Sequence, residues 1–147
     1  MRPSLAAMRA RFTGSDVKHV VGLVAEIPPG ERRLIEADGK RVVVFNLSGE
    51  FFALSDRCPH QGGSLSLGPV MGLVESPCPG EYSYSRAGEI IRCPWHAWEF
   101  DIRTGKSRFD PRRMKVRAFP ACVEKGEALQ AETFPVRVEE DYVVVDL

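Results

Sequence analysis

Short apolar segments separated by closely spaced turn signals dominate this chain of 147 residues. Segments 33–37 and 41–47 flank Asp38-Gly39, a dipeptide that strongly favours a two-residue β-hairpin, and Ser48-Gly49 then turns the chain into segment 50–55. Glycine and proline are frequent, at 13 and 11 residues, which suits a chain with many turns. The pattern predicts an all-β fold.

More strands are predicted before and after this hairpin region. One covers residues 17–27 and ends at Pro28-Pro29-Gly30, because proline lacks the backbone donor that a β-ladder needs. Two other strands are predicted at 89–92 and 98–102, and a turn at Thr104-Gly105 follows the second of them.

The C-terminal segment has the alternation of a hairpin with one buried and one solvated face. In residues 136–138, apolar and charged side chains alternate as in a strand. Glu140-Asp141 forms the turn, and residues 142–145 form the second strand of the hairpin. Strands on both sides of the middle section then pair into a small antiparallel barrel or sandwich. Residues 56–100 or so form a nested, loop-rich subdomain within it.

Length and charge limit the classes of protein to consider. A chain of 147 residues supports one domain, predicted at 16–147 behind a flexible extension at 1–15. The 20 basic and 20 acidic side chains balance, which predicts neither a nucleic-acid nor a membrane partner. No segment approaches the roughly 18 apolar residues of a membrane span. We therefore expect a cytoplasmic protein, although the arginines and missing acids of residues 1–15 are also typical of a transit peptide.

Two compact motifs in the middle section carry candidate metal ligands. They are Cys58-Pro59-His60-Gln61-Gly62 and Cys93-Pro94-Trp95-His96. In each, the proline after the cysteine fixes one φ angle and removes one backbone donor, which favours a rigid loop whose amides can point at a metal centre. Two such loops predict a site with four ligands.

The ligand set is Cys₂His₂, which leaves two kinds of metal centre open. These are tetrahedral zinc, and a two-iron cluster with two cysteines on one iron and two histidines on the other. Zinc fingers usually take two cysteines from one loop and two histidines from another. Here each loop supplies one of each, as C-x-H and C-x-x-H, and this order favours a cluster clamped between two loops.

These two loops make the chain resemble the Rieske family, over roughly residues 17–147. The matching residues are 58–62, Leu65 and Gly68 for the first family loop, and 93–101 with Thr104-Gly105 for the second loop and its exit strand. The resemblance implies the Rieske fold and one [2Fe–2S] cluster per chain. The ligands that it implies are Cys58, His60, Cys93 and His96.

Two cysteines that are absent from this chain indicate which branch of the family it resembles. Rieske proteins of quinol-oxidising complexes carry one more cysteine in each loop, and those two form a disulfide. The matching positions here are Gly63 and Trp95, so the chain resembles the soluble ferredoxin and oxygenase branch. A reduction potential low in the Rieske range is expected.

The resemblance implies an electron carrier without a catalytic residue of its own. Rieske oxygenases bind a further iron through two histidines and a carboxylate, whereas this chain has three histidines, of which only His19 remains for such a site. The expected partners are an electron-donating reductase and an electron-accepting oxygenase or other redox protein. The alternatives are a redox subunit of a multicomponent oxygenase, and an accessory or zinc-stabilised interaction module.

Two departures from the family pattern stand out. Thirty-two residues separate His60 from Cys93, roughly twice the usual number, and the surplus is predicted as a long loop at about 72–88. Long loops close at modest entropic cost, so the site tolerates the insertion. Ala97 stands where the family usually has glycine, and a positive φ there would cost about 1 kcal/mol.

Several other residues have both a functional and a structural interpretation. We expect Cys78 and Cys122 to be inert thiols, Trp95 and Trp98 to be wall and core residues, and His19 to be structural. The local basic run is predicted as a solvated edge-strand face, with a docking patch for an acidic redox partner as the functional alternative. Its members are Arg108, Arg112, Arg113, Lys115 and Arg117.

Overall fold

The computed structural model describes residues 17–59, 62–95 and 97–147, so the predicted extension at 1–15 lies outside the described residues. Within these ranges the chain is mostly strand, as predicted. The strands are β1 Lys18–Leu23, β2 Arg32–Ala37, β3 Lys40–Leu47, β4 Glu50–Ser55, β5 Val70–Cys78, β6 Glu81–Arg92, β7 Glu99–Asp101, β8 Ala118–Phe119, β9 Ala121–Lys125 and β10 Asp141–Asp146. A helix, α1, spans Gly126–Ala131, and 3₁₀ turns lie at Val24–Glu26 and Leu65–Leu67.

These strands form antiparallel sheets. Their strand orders are β1-β10-β9, β2-β3-β4-β8 and β5-β6-β7. The pairing of β1 with β10 and of β4 with β8 joins strands from before and after the middle section, as the barrel prediction requires. The third sheet belongs to the nested segment that contains both cysteine loops.

The β2–β3–β4 meander follows the sequence signals closely. Asp38 and Gly39 have φ angles of 55° and 72°, and Ser48 and Gly49 have φ angles of 53° and 97°. Positive φ at both central residues is the requirement of a type I′ hairpin turn, which matches the twist of the flanking strands. The predicted strand at 50–55 has the observed bounds of β4.

Strand β3 is buried on both faces and separates two hydrophobic cores. Val43 and Phe45 point into a core that also contains Cys58 and Cys93. Val42 and Val44 point the other way, into the core of the barrel. Because successive side chains of a strand alternate between its faces, this one strand fixes the position of the cysteine loops relative to the barrel.

Asn46 is the polar residue that holds β3 to the chain around it. Its side chain is 2% exposed, donates from Nδ2 to the Ile27 carbonyl at 2.7 Å, and accepts from the Gly49 amide at 2.7 Å through Oδ1. The Gly30 amide also donates to the Asn46 carbonyl at 2.9 Å. A buried amide side chain with both ends bonded ties the Pro28-Pro29-Gly30 turn to the β3–β4 turn.

The predicted C-terminal hairpin is wrong. Residues 136–138 form no strand, and β10 pairs instead with β1 on one edge and β9 on the other, so neither edge is left for residues 136–138. Pro135 has no amide to donate, and the Val136 amide bonds to the nearby Phe134 carbonyl at 2.9 Å. The predicted strand at 17–27 is also shorter, because the chain enters a 3₁₀ turn after Leu23.

The prediction of a long loop at 72–88 is wrong as well. The segment forms a β-hairpin, in which β5 and β6 meet at a Pro79-Gly80 turn with Gly80 at φ 86°. The ladder is interrupted between Met71 and Leu73, opposite a stretch of β6 in which Arg86 and Gly88 have positive φ. Local alternation is weak there, so the sequence pattern did not reveal the strands.

Replacing Asn46 with alanine should lower the free energy of unfolding by about 2 kcal/mol, because the Ile27 carbonyl and the Gly49 amide lose their side-chain partner. Urea denaturation of the purified protein measures the change. Ser48→Ala is the control, since Ser48 is an exposed polar residue in the same turn, and it should stay within about 0.5 kcal/mol of the parent. Equal losses for the two variants would contradict the role given to Asn46.

Candidate metal centre

The first loop begins where β4 has ended and closes on itself through two backbone hydrogen bonds. The Cys58 amide donates to the Gly63 carbonyl at 2.8 Å, and the Gly62 amide donates to the Cys58 carbonyl at 2.8 Å. Gly62 has a φ of 78°, a value that glycine adopts without strain. These two bonds bring the backbone at Gly62 and Gly63 back to Cys58.

The second loop repeats this pattern after β6. The Cys93 amide donates to the Trp98 carbonyl at 2.7 Å, and the Ala97 amide donates to the Cys93 carbonyl at 3.0 Å. Ala97 has a φ of 59°. The positive φ considered for this position is therefore present, and the alanine is strained as expected.

The two loops use the same positions for the same contacts. In both, the residue four places after the cysteine donates to its carbonyl and has positive φ, and the residue five places after it accepts from its amide. The sequence shows the cysteine–proline pairs and the histidines, but this shared hydrogen-bond pattern is visible only in the structure. Two loops with the same backbone hydrogen-bond pattern can present ligands to one centre from opposite sides.

The loops meet where glycines replace side chains. A Cβ atom on Gly63 would lie 2.9 Å from Cys93 Sγ and 3.2 Å from Cγ of Trp95. A Cβ on Gly68 would collide with the Arg92 carbonyl. The first loop therefore packs directly against the second, with no room for a side chain between Gly63 and the Cys93 sulfur.

The contact between Gly63 and Trp95 also concerns the disulfide that the resemblance places at these two positions. The structure brings them face to face, with the Trp95 ring against Gly63. Neither position carries a cysteine, so the disulfide of the quinol-oxidising branch has no sulfur atoms here. A tryptophan ring occupies the place next to Gly63.

Both predicted cysteine ligands lie in the same buried core. Cys58 and Cys93 are each 1% exposed and share a cluster with Val43, Phe45 and Ile91. Two sulfur ligands at the ends of rigid loops, shielded from water, fit an iron–sulfur centre, whose cysteines bind as thiolates. The two predicted histidine ligands, His60 and His96, lie outside the described residues.

A buried carboxylate holds the base of the second loop. Glu99, 6% exposed, accepts from Arg92 Nη2 at 2.8 Å and from Arg108 Nη1 at 2.9 Å. Arg92 and Glu99 face each other in the β6–β7 register, just before and after the loop. Burial opposes ionisation, but the two guanidinium hydrogen bonds outweigh it and hold the pKa of Glu99 below its usual range.

A second buried carboxylate does the same for the first loop. Asp56 accepts from the Ser64 hydroxyl and from the Ser66 amide, each at 2.6 Å, and from Arg41 Nη2 at 3.2 Å. Burial opposes its ionisation too, yet these hydrogen bonds lower the pKa of Asp56. Sequence reasoning missed both Asp56 and Glu99, although an acid within a few residues of each loop was a signal that could have been followed.

A network of ion pairs fastens the β5–β6 hairpin to the rest of the domain. Arg86 contacts Glu89 and Asp101, each at 2.9 Å. Arg103 contacts Glu89 at 3.2 Å and Glu50, in β4, at 3.0 Å. Five linked charges therefore hold the interrupted part of β6 against β4 and β7. A network of this kind contributes more than isolated surface ion pairs do.

The remaining candidates occupy different surroundings. Trp95 is 61% exposed, so the prediction that it is a core residue is wrong, whereas Trp98 is half-buried and packs against the core as predicted. Cys78 is exposed at the end of β5, where a hydrogen bond with Glu81 raises the pKa of its thiol. Cys122 is half-buried in β9, and His19 lies in β1.

The basic run after the second loop is not an edge strand, so that prediction is wrong. Between β7 and β8 the described backbone is mostly turn, with isolated bridges such as Lys106 to Lys115. Arg108 pairs with Glu99, while Arg112 and Arg113 are exposed. The run therefore divides into residues with different environments.

Comparison with known proteins agrees with this geometry. Residues 17–120 match the family model described as the Rieske [2Fe-2S] domain. No helix among the described residues is both long and apolar enough to span a membrane.

Two curated relatives are ferredoxin subunits. The chain is 33% identical over 106 residues to the biphenyl dioxygenase ferredoxin subunit of Pseudomonas sp. strain KKS102, covering 72% of this chain and 84% of that protein. It is 32% identical over 104 residues to the 3-phenylpropionate/cinnamic acid dioxygenase ferredoxin subunit of Escherichia coli K12, covering 71% and 83%.

A solved structure shares the fold. The ferredoxin of Sphingomonas yanoikuyae B1 aligns with a TM-score of 0.59 at 24% identity, over 89% of this chain and 99% of that one. The cofactor of the matched family is a [2Fe–2S] cluster. This chain therefore belongs to the Rieske [2Fe–2S] domain family.

Proposed function

We propose that this protein is a one-electron carrier, which takes electrons from a reductase and delivers them to a terminal oxygenase or a similar acceptor. The observation that carries the proposal is the pair of matched loops that meet at Gly63 and Cys93. The relatives support it, because both are named as ferredoxin subunits of dioxygenases and the matched region spans most of their length.

The ligands that we propose are Cys58, His60, Cys93 and His96. When bound, a [2Fe–2S] cluster with two imidazole ligands supplies one-electron chemistry at a higher potential than an all-cysteine cluster. The proposed domain is residues 16–147, behind an extension at 1–15 and with a cluster-binding subdomain at about 56–100. We also propose that the protein acts in the cytoplasm.

The described residues around the loops have three roles in this function. The core that surrounds Cys58 and Cys93 excludes water from the sulfur side of the centre. The amide hydrogen bonds within each loop fix the two cysteine backbones. Asp56 and Glu99 brace the bases of the loops through charge-assisted hydrogen bonds, so that little reorganisation accompanies the gain or loss of an electron.

Iron and acid-labile sulfide analysis, with electron paramagnetic resonance of the dithionite-reduced protein, tests the proposal. We expect about two irons and two sulfides per chain and a Rieske-type signal. Cys93→Ser, His60→Ala and His96→Ala should each abolish the signal. Cys78→Ser is the matched control and should keep it, because Cys78 is exposed at the end of the hairpin.

Two results would contradict the proposal. One is purified protein that contains zinc in place of iron and sulfide, which would support the zinc-stabilised module. The other is a cluster that survives Cys93→Ser but is lost in Cys78→Ser, which would show that the ligands are assigned wrongly.

The shared loop geometry predicts opposite effects for two reciprocal substitutions. Ala97→Gly should raise the free energy of unfolding by about 1 kcal/mol, because it removes the strain of a Cβ at positive φ. Gly62→Ala should lower it by a similar amount, because a Cβ at a φ of 78° is strained, although its contact with Arg57 Nε at 3.4 Å would be an ordinary one. Denaturant titration of the cluster-bound protein, followed by visible absorbance, measures both, and changes of the same sign would refute the equivalence of the loops.

A further inference from the structure

A cavity of about 530 Å³ lies beside the first cysteine loop. It is bounded by the β2–β3 turn, the end of β4, the loop itself and the segment that leads into β8. Its charged and aromatic lining residues are Lys40, Arg41, Asp56, Arg57, Arg117 and Phe119. We call this feature the cationic cavity.

The one acid in the lining does not neutralise the cavity. The Asp56 side chain is fully buried and already bonded to Ser64, Ser66 and Arg41. Within the described part of the chain, Lys40, Arg57 and Arg117 have no ion-pair partner. Three uncompensated cations therefore line one concave surface of a chain whose formal net charge is zero.

Two of these cations are held against the same aromatic ring. Lys40 Nζ lies 5.8 Å and Arg117 Cζ lies 4.8 Å from the centroid of the Phe119 ring. The ring attracts each cation, but the cations repel one another. An arrangement of this kind favours an anion that binds to both side chains at once.

The third cation connects the cavity to the metal loop. Arg57 precedes Cys58, and its guanidinium lies over Gly62, within 3.4 Å of the position that a Cβ there would take. An anion bound in the cavity would therefore sit beside the loop that carries a proposed cluster ligand. Electron transfer requires the partner to approach this region closely.

We propose that the cationic cavity docks a carboxylate-rich segment of a redox partner protein. This rests on the proposed function, since it names where a partner of the carrier binds. Arginine and lysine side chains recognise carboxylates through charge-assisted hydrogen bonds, and complementary charge accelerates the encounter of transient complexes. The cavity is open at the surface, so a protruding acidic side chain can enter without a change of fold.

The chain itself provides a matched control surface. Arg112 and Arg113 are exposed and belong to the same basic run as Arg117, but they do not line the cavity. Of the basic run, only Arg117 lines the cavity, so the docking hypothesis now concerns Arg117 and not the whole run. Reversing two charges at either place changes the net charge of the protein equally.

Calorimetric titration of the cluster-bound protein with a hexaglutamate peptide at low ionic strength tests the site. We expect saturable binding that the Lys40→Glu/Arg117→Glu variant weakens by about tenfold or more, whereas Arg112→Glu/Arg113→Glu changes it less than about threefold. A Lys40→Met/Arg117→Met variant, which avoids new negative charge, should also weaken it. Equal weakening by the two charge reversals, or no binding to the parent protein, would overturn the proposal.

Two further measurements separate the possible sources of failure. Tripolyphosphate is titrated in parallel, and binding to the cavity that is much tighter than hexaglutamate binding would indicate a phosphate site and overturn a protein partner. Hexaglutamate should also lower the midpoint potential of the cluster with the same saturation as binding, because negative charge beside the loop disfavours an added electron. The cavity variant should lose this shift.

The spectroscopic signal keeps the two proposals distinct. Every variant is first shown to retain the Rieske-type signal of the reduced protein. If the parent protein lacks that signal, the electron-carrier function fails whatever the peptide does. If the signal is intact and the peptide does not bind at the cavity, only the docking proposal fails.

Discussion

The alternation of side chains along β3 is the constraint on which the rest of the structure depends. One face of this strand forms a wall of the barrel core through Val42 and Val44, and the other supports the buried cysteines through Val43 and Phe45. A shift of one residue in its register would send each set into the wrong core. The β2–β3 and β3–β4 turns, with both central residues at positive φ, fix that register on either side.

The cysteine loops are rigid because several weak constraints coincide at each one. Each loop has two backbone hydrogen bonds and a residue at positive φ four places after its cysteine. Each is also braced by a buried carboxylate, Asp56 or Glu99, that arginine holds in the charged form. An electron-transfer centre gains from such rigidity, since ligands that are fixed beforehand need little rearrangement when the charge changes.

Local signals predicted what is local in this fold. Asp38-Gly39 sets its own turn, and the ligand motifs are compact, so the meander and the cysteine loops could be found from the sequence. The pairing of β10 with β1 could not be found, because β1 lies at the opposite end of the described chain and the alternation near 136–138 suggested a closer partner. The ion pair of Arg108 with Glu99 is closer in sequence, but it depends on the chain folding back after β7, where the Arg108 amide bonds to the Glu99 carbonyl, and no local motif marks that fold-back.

The charges of this protein balance in number but are unevenly distributed over its surface. The equal numbers of acidic and basic side chains give no net charge, yet Lys40, Arg57 and Arg117 leave the cationic cavity uncompensated. The balancing negative charge must therefore lie elsewhere on the chain. A partner at close range responds to the local potential and not to the sum, because salt screens charges beyond about 10 Å. Neutral composition is thus compatible with a strongly oriented encounter, in which the positive side of the molecule, beside the first loop, turns toward an acidic surface.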